Sequence, residues 1–82
     1  MVRPSRTLKH LGAALRRYRK EQGLSQLDLS SRIHKRQATI SNLEAGEGGT
    51  LDTLFSVLSA LELELVLRPR TKTDASVFEE LF

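Results

Sequence analysis

The fold is decided by residues 24–46, which read LSQLDLSSRIHKRQATISNLEAG. Ser25 opens a Ser-x-x-Asp pattern, a variant of the capping box that begins helices. Leu29 and Ile33 then place apolar side chains one turn apart on the inner face of a helix. This stretch therefore predicts a short helix, only about two turns long, that is capped by Ser25 and ends near Ile33.

A second short helix is predicted after a tight connection at residues 34–36. Ile40 and Leu43 mark its buried side, and it should end at Ala45 and Gly46, because glycine favours helix ends. Two short helices joined by a tight turn are the parts of a helix-turn-helix motif. In that motif the second helix enters the major groove of DNA.

Longer helices are predicted on both sides of the motif. Upstream, Thr7 is suited to an N-cap and Gly23 to a left-handed C-cap, so the first helix should end near Gln22. Downstream, Thr50 caps a fourth helix with the strongest apolar stripe in the chain. The apolar repeat of the first helix is Leu8, Leu11, Leu15 and Tyr18, and that of the fourth is Leu51, Leu54, Phe55, Leu58 and Leu61.

Over residues 63–68 apolar side chains recur at every second position, which is the period of a β-strand. Pro69 is expected to end this strand. No second strand is predicted, and a lone strand leaves its backbone donors and acceptors unpaired. The simplest partner is the same strand of a second copy. Dimerisation is therefore assigned to Leu63, Leu65, Val66 and Leu67.

Three segments are expected along the chain: a flexible basic arm at residues 1–7, a folded domain at 8–68 and a flexible tail at 69–82. The tail ends on apolar side chains whose spacing would bring them to one side of a short helix. A groove in a partner protein could order them. These possible partner-binding residues are Val77, Phe78, Leu81 and Phe82.

Charge is distributed unevenly. Residues 1–36 contain ten Lys/Arg and two acids, which gives a net charge of +8. Residues 37–82 contain three Lys/Arg and eight acids, which gives a net charge of −5. This asymmetry favours a polyanion-binding surface beside a surface that meets a different partner. The alternative is a solvated surface with uneven charge.

Several function classes fit the composition poorly. The absence of cysteine and of a long apolar run favours a cytoplasmic protein without disulfides or membrane spans. His10 and His34 are the only histidines, and no Gly-rich phosphate loop is present. We therefore expect neither an enzyme nor a site for a metal or cofactor.

The second helix of the motif exposes an unusual surface. The residues that face away from Ile40 and Leu43 are short and uncharged: Gln37, Ala38, Ser41 and Asn42. Glutamine can form two hydrogen bonds with adenine, and an alanine methyl group can contact that of thymine. Lys35 and Arg36 oppose the helix dipole by roughly 0.3–1 kcal/mol, but a bound phosphate would reverse the sign of that effect.

Residues 24–46 resemble the Xre family of lambda-repressor and Cro-like proteins, and the resemblance spans about residues 11–67. It implies a mainly α domain of four to five helices, with one C-terminal strand paired across a homodimer. It also implies that Gln26 binds phosphate and braces Gln37, that Thr39 helps to read bases, and that Glu44 is structural. His34 departs from the glycine often found in the turn, but histidine tolerates positive φ at some cost.

Two sets of DNA contacts are therefore predicted. Base contacts are assigned to Gln37, Ala38, Thr39, Ser41 and Asn42. Phosphate contacts are assigned to Ser25, Gln26, Arg32, Lys35 and Arg36.

Within the Xre family, RQATISNLE at 36–44 and LELELVL at 61–67 are most similar to HipB-type antitoxins. That resemblance implies a bacterial, nucleoid-associated dimer that binds the palindromic operator DNA of its own operon and a HipA-type serine/threonine kinase toxin. One alternative is a stand-alone Xre repressor without a toxin. A pure protein-interaction module is another, but it would not explain the polar surface of the second helix.

Overall fold

The computed structural model describes residues 4–70, and the four predicted helices are all present in this range. They are α1 (Leu8–Glu21), α2 (Gln26–Ile33), α3 (Gln37–Glu44) and α4 (Leu51–Ala60). None of these helices is long and apolar enough to cross a membrane. The first three residues of the predicted arm and the tail residues Val77, Phe78, Leu81 and Phe82 lie outside the described residues.

The helix ends follow from local side-chain chemistry. The Thr7 hydroxyl accepts a backbone N–H of the first turn of α1 at 3.0 Å. Both halves of the α2 capping box form: Asp28 N–H donates to Ser25 Oγ at 2.9 Å, and Ser25 N–H donates to Asp28 Oδ2 at 2.8 Å. Thr50 caps α4 in the same way as Thr7 caps α1. Only α3 begins without a side-chain cap, because Arg36 has no acceptor to offer.

The turn of the motif is made by a residue other than glycine. His34 follows α2 in the left-handed conformation, with φ 57° and ψ 42°. This conformation lets Lys35 N–H donate to the Ser30 carbonyl at 3.1 Å, so the chain reverses immediately after α2. The expectation that histidine would accept the strained position is confirmed.

The core lies where the four helices meet. Its centre is almost inaccessible, with Leu29 and Ile40 at 0% exposure. α3 contacts α1 and α2, and α2 also contacts α4, so α3 is held on two sides. The buried apolar residues are Leu15, Leu29, Ile40, Leu43, Val57, Leu58 and Leu61.

Two predicted apolar stripes face the core only in part. Leu8 and Tyr18 of α1 are exposed, and the buried face of that helix carries Gly12 and Arg19 beside Leu15. In α4 the buried residues are Thr53, Val57 and Leu58, whereas Leu51 and Phe55 are exposed. The spacing of leucines therefore did not predict the buried face of α1, because Gly12 and Arg19 occupy two of its inner positions.

The segment after α4 returns towards α1. Glu62 adopts φ 58°, and Leu63 N–H donates to the Leu58 carbonyl at 2.8 Å, which together end the helix. Residues 63–70 form no strand within the described part of the chain. Pairing of this segment across a dimer stays a prediction.

Candidate nucleic-acid interface

The residues predicted to read bases lie together on α3. Thr39 is half-buried, and the other four are exposed on the side opposite Ile40 and Leu43: Gln37, Ala38, Ser41 and Asn42. The surface therefore combines an amide-rich outer face with an inner face that is fixed in the core. Such a helix can present hydrogen-bonding groups in one defined orientation.

A buried ion pair fixes the carboxyl end of α3. Arg19 of α1 binds Glu44 through two hydrogen bonds, Nε to Oε2 at 2.7 Å and Nη2 to Oε1 at 2.9 Å. A third arginine N–H donates to the Leu24 carbonyl at 2.7 Å. Hydrogen bonding to Glu44 raises the pKa of Arg19, so the guanidinium stays charged. The structural role implied for Glu44 agrees with this geometry.

Gln26 lies at the first position of α2 and is connected to the same ion pair. Its Nε2 donates to Glu44 Oε1 at 3.2 Å, which leaves its carbonyl oxygen and its second amide hydrogen available. No hydrogen bond joins Gln26 to Gln37 in this structure. The bracing of Gln37 by Gln26 stays a prediction.

The predicted phosphate ligands lie at the helix ends of the motif. Ser25 and Gln26 begin α2, Arg32 is exposed in its last turn, and Lys35 and Arg36 precede α3. Ser25 is already engaged in the capping box through its hydroxyl and its N–H. The first N–H groups of α3 have no side-chain cap, and such a helix start favours an anion.

Three residues of this region have contacts that the sequence pattern did not predict. Arg19 had been counted with the basic surface, but it is buried against Glu44. Gly12 lies where α1 crosses α3, and Asp52 forms an ion pair with Lys35. Gly12 lies three residues before Leu15 and Arg19 four residues after it, and this helical spacing was the only signal that they share its buried face.

A separate apolar surface surrounds the segment that follows α4. Leu63 is half-buried, and the other residues assigned to dimerisation, Leu65, Val66 and Leu67, are exposed together with Phe55. A groove of about 850 Å³ lies between this segment, residues 4–6 and the Leu11 to Tyr18 side of α1. Exposed apolar surface is often found where proteins associate, and the association of this surface with a second copy stays a prediction.

Comparisons with known proteins agree with this geometry. The profile of the helix-turn-helix family matches residues 15–67, more than half of the chain. The antitoxin HipB of Escherichia coli (strain K12) is 40% identical over 58 residues, which are 70% of this chain and 66% of HipB. The match thus spans just under two thirds of that relative's length.

Solved structures show the same similarity. In a structure of a HipB variant in complex with an O2 20mer, the matching chain is 33% identical to this one, with a TM-score of 0.78. The alignment covers 84% of this chain and 97% of that chain. A HipA-HipB-O2-O3 complex is also 33% identical, with a TM-score of 0.76 and coverage of 83% and 97%.

Proposed function

Because the chain belongs to the Xre-like helix-turn-helix family, we propose that it is a DNA-binding antitoxin that represses its own operon. The carrying observation is the exposed face of α3, where Gln37, Ser41 and Asn42 offer donors and acceptors. A surface helix selected for solubility alone would carry Glu and Lys there. The ion pair between Arg19 and Glu44 supports a fixed orientation of this face.

Binding is proposed to combine two kinds of contact. The five base-reading residues of α3 recognise sequence in the major groove. Phosphates bind at the starts of α2 and α3, where Lys35 and Arg36 supply charge and the uncapped helix supplies N–H groups. The phosphate contacts fix the register of α3 without reading bases.

The operator is proposed to be palindromic and bound by a homodimer. The exposed apolar residues after α4 support an interface in which residues 63–68 of two copies pair as strands. A two-fold symmetric dimer places its recognition helices about one helical turn, roughly 34 Å, apart. The half-sites of the operator should have the same spacing.

A toxin is the second proposed partner. The similarity to HipB, for which a HipA-HipB-O2-O3 complex has been solved, supports a HipA-type kinase in this role. DNA and toxin would then contact different surfaces of the same dimer. A kinase-like reading frame next to the gene, whose product copurifies with this chain, would support the antitoxin role. Without such a partner the chain is a stand-alone repressor.

Gel-shift titration on DNA from upstream of the gene, at several salt concentrations, tests the proposal. Gln37→Ala should lose preference for this DNA over a duplex of mixed sequence. Lys35→Ala should weaken binding to both duplexes alike and flatten the salt slope by about one unit. Lys20→Ala, an exposed cation on α1, is the matched control and should change the slope less. An unchanged preference in Gln37→Ala would exclude α3 as the reading element.

A further inference from the structure

An ion pair joins the turn before α3 to the first turn of α4. Lys35 Nζ lies 3.2 Å from Asp52 Oδ2. The lysine side chain is 34% exposed and the aspartate side chain 82% exposed. Lys35 thus has a carboxylate partner within the chain, although its proposed ligand is a phosphate.

Folding alone does not explain this pair. Exposed ion pairs contribute little to stability, because water screens the charges and both side chains lose conformational freedom. Asp52 is not required as a cap either, since Thr50 Oγ1 accepts the Thr53 N–H at 3.1 Å. The helix dipole favours an acid in the first turn of α4, but it does not require one that contacts Lys35.

We infer that Asp52 is an intramolecular competitor for the phosphate that Lys35 binds, and that it lowers the affinity for DNA of any sequence. The inference rests on the proposed function, because that function assigns Lys35 to phosphate. Each binding event must exchange the carboxylate for a phosphate oxygen. The effect is independent of sequence, since phosphate contacts carry no base information.

The exchange also has a signature in salt. Binding to DNA releases cations from the phosphates that the protein neutralises. When Lys35 moves from Asp52 to a phosphate, the free carboxylate of Asp52 attracts a cation from solution. This uptake offsets part of the cation release from the DNA. Asp52 therefore makes the dependence of DNA affinity on salt shallower.

Asp52→Asn is the direct test, because it removes the charge and keeps the size of the side chain. Binding is measured to a short duplex of mixed sequence and to DNA from upstream of the gene. Both affinities should rise about threefold to tenfold at physiological salt. The slope of log affinity against log salt should steepen by a fraction of a unit, because this steepening and the flattening in Lys35→Ala together correspond to one phosphate contact, about 0.9.

Two further variants separate the competition from a change in net charge. Glu21→Gln changes net charge equally at the end of α1, near the carboxyl end of α4, where Gln22 Nε2 donates to the Leu61 carbonyl. Leu61 is nine residues, about 13.5 Å, along α4 from Asp52, beyond the screening length of physiological salt. Glu21→Gln should change affinity little. In a Lys35→Ala background, Asp52→Asn should have no further effect.

Three results would overturn the inference: unchanged binding by Asp52→Asn, an equal gain in Glu21→Gln, or a gain that persists without Lys35. Thermal unfolding of each variant checks that the fold is retained. Wild-type protein that binds both duplexes equally would contradict sequence-specific repression and still allow the Asp52 comparison. If neither wild type nor Asp52→Asn bound any duplex, both proposals would be wrong.

Discussion

Gly12 lies where α1 makes its closest approach to α3. A Cβ atom at this position would be 2.5 Å from the Glu44 carbonyl oxygen and still closer to that of Leu43. Both atoms belong to the backbone of α3, so they cannot move aside as a flexible side chain would. Only glycine allows this crossing distance.

Gly12→Ala should therefore destabilise the protein by about 1–3 kcal/mol, even though alanine is the better helix former. The free energy of unfolding in urea provides the measurement. Ala13→Ser, at the exposed neighbouring position, is the control and should stay within about 0.5 kcal/mol of wild type. A Gly12→Ala protein of equal or greater stability would show that α1 and α3 can separate freely.

Glu44 is the partner that makes the burial of Arg19 possible. Glu44→Ala leaves a buried guanidinium without its carboxylate and should lower the free energy of unfolding by about 3–5 kcal/mol. Joint replacement by apolar residues, Arg19→Met with Glu44→Leu, should recover most of this loss. Urea unfolding measures both effects, and a loss below about 1 kcal/mol in Glu44→Ala would place the pair among weak surface interactions.

At the scale of elements, the start of α2 should be sensitive to acid. The hydrogen bond from the Ser25 backbone N–H lowers the pKa of Asp28. The carboxylate therefore contributes stability above its ordinary pKa, and this contribution is lost as the pH falls through the lowered value. Asp28→Asn should be less stable than wild type at neutral pH, and the difference should shrink in acid. A difference that stayed constant as the pH fell would contradict this role.

The segment after α4 is the element proposed to pair across the dimer. Leu65→Pro removes a backbone donor and an apolar side chain, so sedimentation should report a monomer. Affinity for a two-half-site operator should then fall by about 10²–10⁴, because each half-site is bound alone. Glu64→Ala, at the exposed neighbouring position, should leave the dimer intact. If the Leu65→Pro protein were still dimeric, the interface would have to lie outside residues 63–68.

At the scale of the whole molecule, separate surfaces for DNA and toxin should be separable by truncation. Deletion of residues 77–82 should leave dimerisation and operator binding nearly unchanged and weaken toxin binding. Burial of Phe78 and Phe82 would supply about 3–6 kcal/mol before ordering costs. Calorimetry with the purified toxin measures the change, and Glu79→Gln is the control within the tail. Equal affinity of full-length and truncated protein would remove the tail from the interface.

The four helices, the turn and the exposed face of α3 could be predicted from the order of residues. These features are local: a cap contacts residues within one turn, and helical periodicity separates Ile40 from Ser41 without reference to the rest of the chain. The exposed positions Gln37, Ala38, Ser41 and Asn42 were therefore predictable as the complement of the buried positions, whereas Thr39 was assigned from the family resemblance.

The pairing of charged side chains depends on how the helices pack against one another. Arg19 and Glu44 are 25 residues apart, and Lys35 and Asp52 are 17 apart, so no local pattern pairs them. Packing likewise buried Gly12 and left Phe55 exposed, because the direction of each helix face depends on the element that crosses it. Periodicity gives the faces of a helix, whereas the contacts between helices decide which face meets the core.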